Sequence, residues 1–343
     1  MKKLLIVIYL SIIFYILGCK VDFDVTPIKD SSLRFYIPNG WSYPIYDLSS
    51  NEFSKSKFEL GKKLFYDPKL SRNNTISCGD CHQAFVAFAH SDHKLSHGVD
   101  GGFTKRNSPG LFNLAWQPTL MWDGGVNHLE VQPLAPIVNP IEMDENIISI
   151  IAKLNSDFQY KLLFKNAFGD DTINSQRILK SMAQFMALMI SDDSKYDKYT
   201  RGEISLTQNE LEGLNIFNTK CASCHPAPMF TDYSFRNNGL KLDPDLKDIG
   251  RMDITFDVND SMKFKTPSLR NIALTAPYMH DGRFNTLQQV LNHYSTGIHA
   301  STTLDPMLTS GISLSSSEQL NLITFLNTLS DFTFIKNKNF KEQ

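Results

Sequence analysis

Two short runs, Cys78-Gly79-Asp80-Cys81-His82 and Cys221-Ala222-Ser223-Cys224-His225, leave this 343-residue chain little freedom in what it folds around. Each carries two thiols near enough to add to the two vinyl groups of one haem, then at once an imidazole that can ligate the iron from the same face. Paired CxxC knuckles can instead share one zinc, but those normally lie within a few dozen residues and need no histidine after each pair. The spacing therefore favours two covalently attached c-type haems over a zinc ribbon or a redox dithiol.

A chain of this length holds about two domains, each able to bury its own core, and two well-separated haem runs point to one haem in each. Lys and Arg (34) nearly balance Asp and Glu (36), and no basic run occurs, which argues against a nucleic-acid partner. The haem runs use four of the five cysteines. The fifth, Cys19, follows Lys2-Lys3, an apolar run from Leu4 to Leu17, and Gly18, the layout of an export signal too short for a stable membrane span. Ile16-Leu17-Gly18-Cys19 resembles the bacterial lipobox, in which the cysteine becomes the acylated first residue; an ordinary signal peptide or an uncleaved anchor are the competing readings. All of them put the folded part outside the cytoplasm, where haem c is attached. The only membrane contact expected is the lipid at Cys19, with an outer-membrane anchor facing the periplasm.

From Lys20 to about Ser50 the chain is polar and broken by prolines, which reads as a tether and a surface strap. Phe53, Phe58, Leu60, Leu64 and Phe65 then recur at helical spacing and stop before Asp67-Pro68, so a helix is expected beside the first haem. After the first haem run come His90, His93 and His97 in a loop ending at Gly101-Gly102, the place to look for a sixth ligand or an acid/base group. Arg106-Asn107-Ser108-Pro109, Trp122-Asp123-Gly124-Gly125, Leu129-Glu130-Val131-Gln132 and Asn139-Pro140-Ile141-Glu142-Met143 set aromatic and acidic residues in loops, not on a helical stripe. Taken without context, Trp122 could equally be a packing residue and Glu142 an acid at a helix N-terminus. Helical patterns run from about Asp144 to Phe168 and from Asn174 to Ile190, and polar Asp192 to Gly202 makes a boundary. Thr207, with Glu210 three residues on, starts a capped helix into the second haem run. Helices are also expected from Leu287 to about Tyr294 and from about Ser315 to Leu329.

Strand signals are weak throughout. The expected fold is mainly α, with two cytochrome c-like haem domains in tandem as distant repeats of one unit. The expected divisions are a lipoprotein-type signal at 1–19, a tether and strap at 20–50, an N-terminal haem domain at 51–200 and a C-terminal haem domain at 201–343.

As a set, both CxxCH runs, the RNSP and WDG segments, the Asn-Pro-x-Glu-Met run and the stretch from Phe264-Lys265-Thr266-Pro267-Ser268-Leu269-Arg270-Asn271 to Ala276-Pro277-Tyr278-Met279-His280-Asp281-Gly282-Arg283-Phe284 resemble the bacterial dihaem cytochrome c peroxidases. That family includes MauG-type enzymes, which oxidise side chains of a partner protein. The resemblance spans about Leu60 to Leu329. It implies His82 and His225 as proximal ligands of the N-terminal, peroxidatic haem and the C-terminal, electron-transferring haem. It further implies His97 as a displaceable distal ligand of the first haem, Glu142 as the distal acid with Gln132 beside it, and Trp122 on the electron path. Asn107, Thr275 and Pro277 match the ligands of one inter-domain calcium ion, the last two by backbone carbonyls; oxygen-only ligation suits calcium. Dimers are common in the family, though no segment here specifies one.

At the second haem the chain departs from one branch. Classical members supply a methionine as the sixth ligand, whereas the aligned position holds Tyr294, as in MauG-type members; Met279 falls at a loop position that is not the ligand in the family. A phenolate stabilises ferric iron and lowers its potential, where a thioether keeps it high.

The reading that follows is a peroxidase reducing hydrogen peroxide to water with electrons from a small periplasmic cytochrome c or cupredoxin, relayed from the C-terminal to the N-terminal haem. A carboxylate above the iron would act as base and then acid, an effect typically worth about 10² to 10⁴ in rate. The alternatives are a MauG-type oxidase, favoured by Tyr294 but not by His97, and a dihaem electron carrier without catalysis.

Overall fold

Apolar side chains at helical spacing build the first long helix, α1 (Lys55–Tyr66), which buries Phe58, Leu60, Leu64 and Phe65. The computed structural model describes residues 33–342. The signal segment, Cys19 and the first part of the tether lie outside the described residues. The first CxxCH run forms the single turn α2 (Cys78–Cys81), capped by Ser77, and a short α3 (Leu134–Val138) precedes Glu142.

The pattern expected to run from Asp144 to Phe168 is two helices, α4 (Ile147–Asn155) and α5 (Phe158–Phe168). The break has a local cause: the Asp157 carboxylate accepts the Gln159 N–H at 2.9 Å and caps a new helix start. α6 (Ser175–Ala187) buries nearly its whole length. The polar stretch after it is not only a linker, because Ser194 and Asp197 close a capping box around a short α7 (Lys195–Thr200). Thr207 and Glu210 form the expected capping box of α8 (Gln208–Lys220).

Among the described residues the only sheet is a two-residue antiparallel pair, β1 (Phe235–Arg236) with β2 (Phe264–Lys265), separated in sequence by a one-turn α9 (Met252–Thr255). The fold is therefore mainly helical. α10 (Leu287–Asn292) runs into one turn of π-helix, His293–Gly297, and α11 (Ser316–Asn327) and α12 (Phe332–Lys336) complete the chain.

The two halves repeat one packing device. α1 crosses α6 so closely at Gly61 that a Cβ there would lie 1.9 Å from the Ser181 carbonyl oxygen. α8 crosses α11 at Gly213, where a Cβ would lie 2.0 Å from the Asn321 carbonyl oxygen. Only glycine permits either approach. Phe217, Phe230, Leu322 and Phe325 fill the second crossing, and each such side chain contributes about 1.5–3 kcal/mol by burial.

Two segments cross between the halves. Residues 34–50 form a strap in which Trp41 packs edge-on against Trp116 at 5.2 Å, and the guanidinium of Arg270 lies 4.7 Å over Trp41. At the other end, Phe334 packs on Phe88, and the Tyr66 hydroxyl donates to the Phe340 carbonyl at 2.7 Å. The C-terminal tail thus closes over α1.

Candidate functional site

Both CxxCH runs open onto one continuous, mainly apolar cavity of about 810 Å³. Cys78, Cys81, His82, Cys221, Cys224 and His225 all line it, as do Trp122, Gln132, Glu142 and Tyr294. The histidines are held alike. His82 Nδ1 lies 2.8 Å from the Phe88 carbonyl oxygen and His225 Nδ1 lies 3.0 Å from that of Phe230. A carbonyl can only accept, so each ring carries its proton on Nδ1 and leaves Nε2 as a free donor for a metal. Burial lowers the pKa of both rings, that of His82 to about 4, which keeps them neutral as ligation requires.

The four cysteines are unpaired. Burial pushes the thiols of Cys78, Cys81 and Cys221 up to about 12, 11 and 12, with the neighbouring thiol adding to the effect at Cys78 and Cys221. A redox dithiol needs the opposite shift, toward the thiolate. Unpaired thiols in an apolar cavity, each pair beside an imidazole with one free nitrogen, fit covalent haem at both runs.

Glu142 reaches the cavity from the loop after α3. Burial raises its pKa, against the Asn139 hydrogen bond and the Arg106 charge, which lower it. Asn139 Nδ2 donates to Oε1 at 3.0 Å, so Oε2 is the oxygen without a partner among the described residues. The backbone is clamped from the histidine loop, where the Val99 N–H donates to the Glu142 carbonyl at 2.8 Å. Gly98 lies against the same loop: a Cβ there would fall 1.7 Å from the Ile141 carbonyl oxygen. Gln132 is on the cavity wall, but its amide donates to Met121 Sδ at 3.7 Å.

His97 also lines the cavity, with its ring exposed and packed 4.4 Å from Phe103, and its carbonyl oxygen lies 3.8 Å from Cys81 Sγ. His90 and His93 stand off the wall. His90 is buried with Nδ1 2.5 Å from Ser96 Oγ, and His93 is exposed with its ring 5.1 Å from that of His97.

Trp122 is fixed at both ends. Its Nε1 donates to the Asn107 carbonyl at 2.8 Å, and its own carbonyl accepts the Lys265 N–H at 2.7 Å. Asn107 is buried and shares the wall with Thr275 and Pro277. Asn107 Oδ1 and the carbonyls of Thr275 and Pro277 accept no hydrogen bond among the described residues, and oxygen donors of this kind are the type a hard cation takes. Among the described residues no cluster of three or more His, Cys, Asp or Glu side chains could hold a metal, which an amide-and-carbonyl site does not require.

Tyr294 lies in the π-turn and faces the second CxxCH run; burial pushes its phenol up to about 12, with the Asn238 side chain pulling the other way. Asn238 Nδ2 also donates to Met279 Sδ at 3.4 Å, so that sulfur is engaged in the loop. π-turns inside helices recur at functional sites.

Three wall residues had no sequence-derived role. Arg106 of the RNSP run pairs with Asp123 of the WDG run and, at 2.6 Å, with Asp248. Asn139 opens the Asn-Pro-x-Glu run and holds its acid. Lys265 lies in the FKTPSLRN run and is 8 % exposed. All three sit inside recognisable runs; Asn139 finds its partner three residues on, but Arg106 reaches Asp248 and Lys265 reaches Gln117 across more than 140 positions.

Residues 55–205 match the family model described as di-haem cytochrome c peroxidase. The chain is 34% identical over 304 residues to the methylamine utilization protein MauG of Methylorubrum extorquens, covering 86% of this chain and 83% of that protein. It is 39% identical over 239 residues to the cytochrome c peroxidase Ccp of Escherichia coli, covering 67% of this chain and 51% of that protein. A solved structure of a MauG-like protein associated with microbial copper homeostasis superposes with a TM-score of 0.82 at 33% identity, over 90% of this chain and 99% of that one. The dihaem peroxidase BthA of Burkholderia thailandensis shares the fold, with a TM-score of 0.72 at 22% identity over 83% of this chain and 88% of that one.

Proposed function

Given that this chain belongs to the bacterial dihaem cytochrome c peroxidase family, MauG-type members included, we propose that it reduces hydrogen peroxide to water with electrons from a small cytochrome c or cupredoxin. The observation that carries the reading is the shared cavity: two imidazoles with Nδ1 engaged, a half-buried carboxyl and a clamped tryptophan all face it. Two CxxCH runs hold two haems, one in each of two tandem cytochrome c-like domains, residues 51–200 and 201–343.

When bound, haem supplies the iron that takes up peroxide and the redox centres that pass electrons. The chain supplies the rest. Glu142 Oε2 takes a proton from the near oxygen of peroxide and returns it to the far one, so that water leaves in place of hydroxide. Asn139 keeps Oε1 occupied and leaves Oε2 without a partner among the described residues. Gln132 orients the peroxide once its weak contact to Met121 gives way. Trp122, held between Asn107 and Lys265, lies on the electron path from the C-terminal to the N-terminal site. Asn107, Thr275 and Pro277 would hold one calcium ion, between the residue that accepts from the Trp122 indole and the loop before Tyr278. His97, which lines the same cavity, would serve as a displaceable ligand to the first haem.

The export signal, the haem chemistry and the family support a periplasmic setting, and the lipobox-like run Ile16-Leu17-Gly18-Cys19 alone supports a lipid at Cys19. Among the described residues no helix is long and apolar enough to cross a membrane.

A second reading has its own support. Tyr294, half-buried beside Cys221 and Cys224, would ligate the second iron and disfavour its reduction, as suits oxidation of a partner protein's side chains. Peroxide consumption by the dihaem protein, with and without a reduced cytochrome c or cupredoxin, separates the two. Rapid oxidation of the donor supports the peroxidase. A diferric protein that reacts with peroxide yet leaves the donor reduced moves the second reading ahead.

A further inference from the structure

Among the described residues Lys265 is the buried cation of the wall whose charge has no counter-charge within hydrogen-bond reach. Its Nζ donates to Gln117 Oε1 at 2.9 Å and to the Thr119 carbonyl at 2.6 Å, both neutral acceptors. The third N–H has no acceptor among the described residues. Asp123 is the carboxylate that favours the Lys265 charge, but it is already paired with Arg106, which in turn binds Asp248. The next cation on this side, Arg251, donates to the Asp123 carbonyl and stacks on Phe235. Burial pushes the Lys265 amine down to about 7, against the Asp123 charge, which raises it.

Burying an ammonium without a partner costs several kcal/mol, and a neutral side chain of the same length would fill this wall at no such cost. The charge therefore has a use that the protein's own residues do not reveal. Lys265 and Gln117 both line the cavity, and the Lys265 backbone N–H holds the Trp122 carbonyl. On the dihaem reading, on which this inference rests, each cofactor brings two carboxylates into that space. We propose that the Lys265 ammonium is the counter-ion of a haem propionate and anchors that carboxylate beside Trp122.

A cation held there favours the reduced form of the haem it touches, since reduction adds an electron nearby. Lys265 is thus a positioning residue that joins a haem edge to the tryptophan relay. It also explains why the side chain keeps a titratable head in an apolar wall.

The test uses the mature dihaem protein with Lys265→Met and Lys265→Arg, and reads both haem potentials by optical redox titration. Haem content per chain, measured first, tests the dihaem reading separately: fewer than two haems in the wild type sinks that reading and not the pairing. The expected result is that Met lowers one potential while Arg does not, with the reduced-to-oxidised ratio at fixed applied potential falling about tenfold, or about 59 mV for one electron. Which potential moves tells which haem supplies the propionate. Should the methionine chain not mature, Lys265→Gln keeps hydrogen bonding and removes the charge. Loss of haem uptake in both neutral variants with uptake kept in Arg supports the pairing. Unchanged potentials in a neutral variant, an Arg variant that falls as far as Met, or loss of haem in all three overturn it.

Discussion

Replacing Gly98 with alanine probes the acid loop without touching any group that meets substrate. The added Cβ would fall 1.7 Å from the Ile141 carbonyl oxygen and 2.7 Å from that of Glu142. Ordinary contact begins near 3.4 Å, so the two backbones must part by about 1.7 Å (3.4 − 1.7). The φ of Gly98 is −103°, open to alanine, so the cost is steric and falls on the 141–142 backbone. Parting breaks the 2.8 Å bond from Val99 N–H to the Glu142 carbonyl, worth about 1 kcal/mol net, and adds an overpacking cost of about 1–3 kcal/mol. A shift of about 1 Å in a catalytic group can cost about 10² in rate. Gly98→Ala should therefore keep its two haems, melt several degrees lower, and lose about 10² in kcat/KM for peroxide by stopped flow. Gly101→Ala is the control. That glycine has φ +74° and nothing within 4 Å of its Cβ, so it should lose about 1 kcal/mol of stability and little rate. A Gly98→Ala enzyme with full kcat/KM and an unchanged melting point would refute the argument that this backbone contact sets the acid.

Three further outcomes are expected. Glu142→Gln should lower kcat/KM for peroxide by about 10² to 10⁴. Because burial raises the Glu142 pKa, the wild-type rate should fall with decreasing pH through a limb above the usual glutamate range, and that limb should be missing in the variant. Calcium chelation should slow donor-dependent peroxide turnover, and added calcium should restore it; a rate indifferent to both argues against the site at Asn107, Thr275 and Pro277. Arg270 is 1 % exposed and pairs with Asp197 at 2.7 Å, so Arg270→Met should cost about 3–5 kcal/mol by leaving a buried carboxylate unpaired. Burial alone would raise the Asp197 pKa, but Arg270 holds it below the ordinary value, so its stabilisation is present above about pH 4 and lost as pH falls further. Melting curves from pH 7 to 3 should show the two proteins converging at the acid end.

Much of this protein was legible in one dimension, because the chemistry concerned is local. Covalent haem attachment needs two thiols and an imidazole within five residues, so the CxxCH runs declare it wherever they fold. Helices α1, α8 and α11 follow from apolar period and from caps such as Thr207 with Glu210, again within a few residues. The split between α4 and α5 was local too, but the amphipathic pattern continues across Ser156-Asp157 and hides the cap.

What only tertiary structure decided is what depends on partners far apart in the chain. The acid at Glu142 is set by Asn139 nearby but clamped by Gly98 and Val99, and its proton affinity is set by burial, which a sequence does not state. Arg106 finds Asp248 142 positions away, and Lys265 finds Gln117 148 positions away. The tail that closes on α1 and the strap that carries Trp41 to Arg270 leave no periodic trace. Chain spacing can show which groups are present; the dielectric around them, and whether a buried charge has a counter-charge, exist only once the chain has closed.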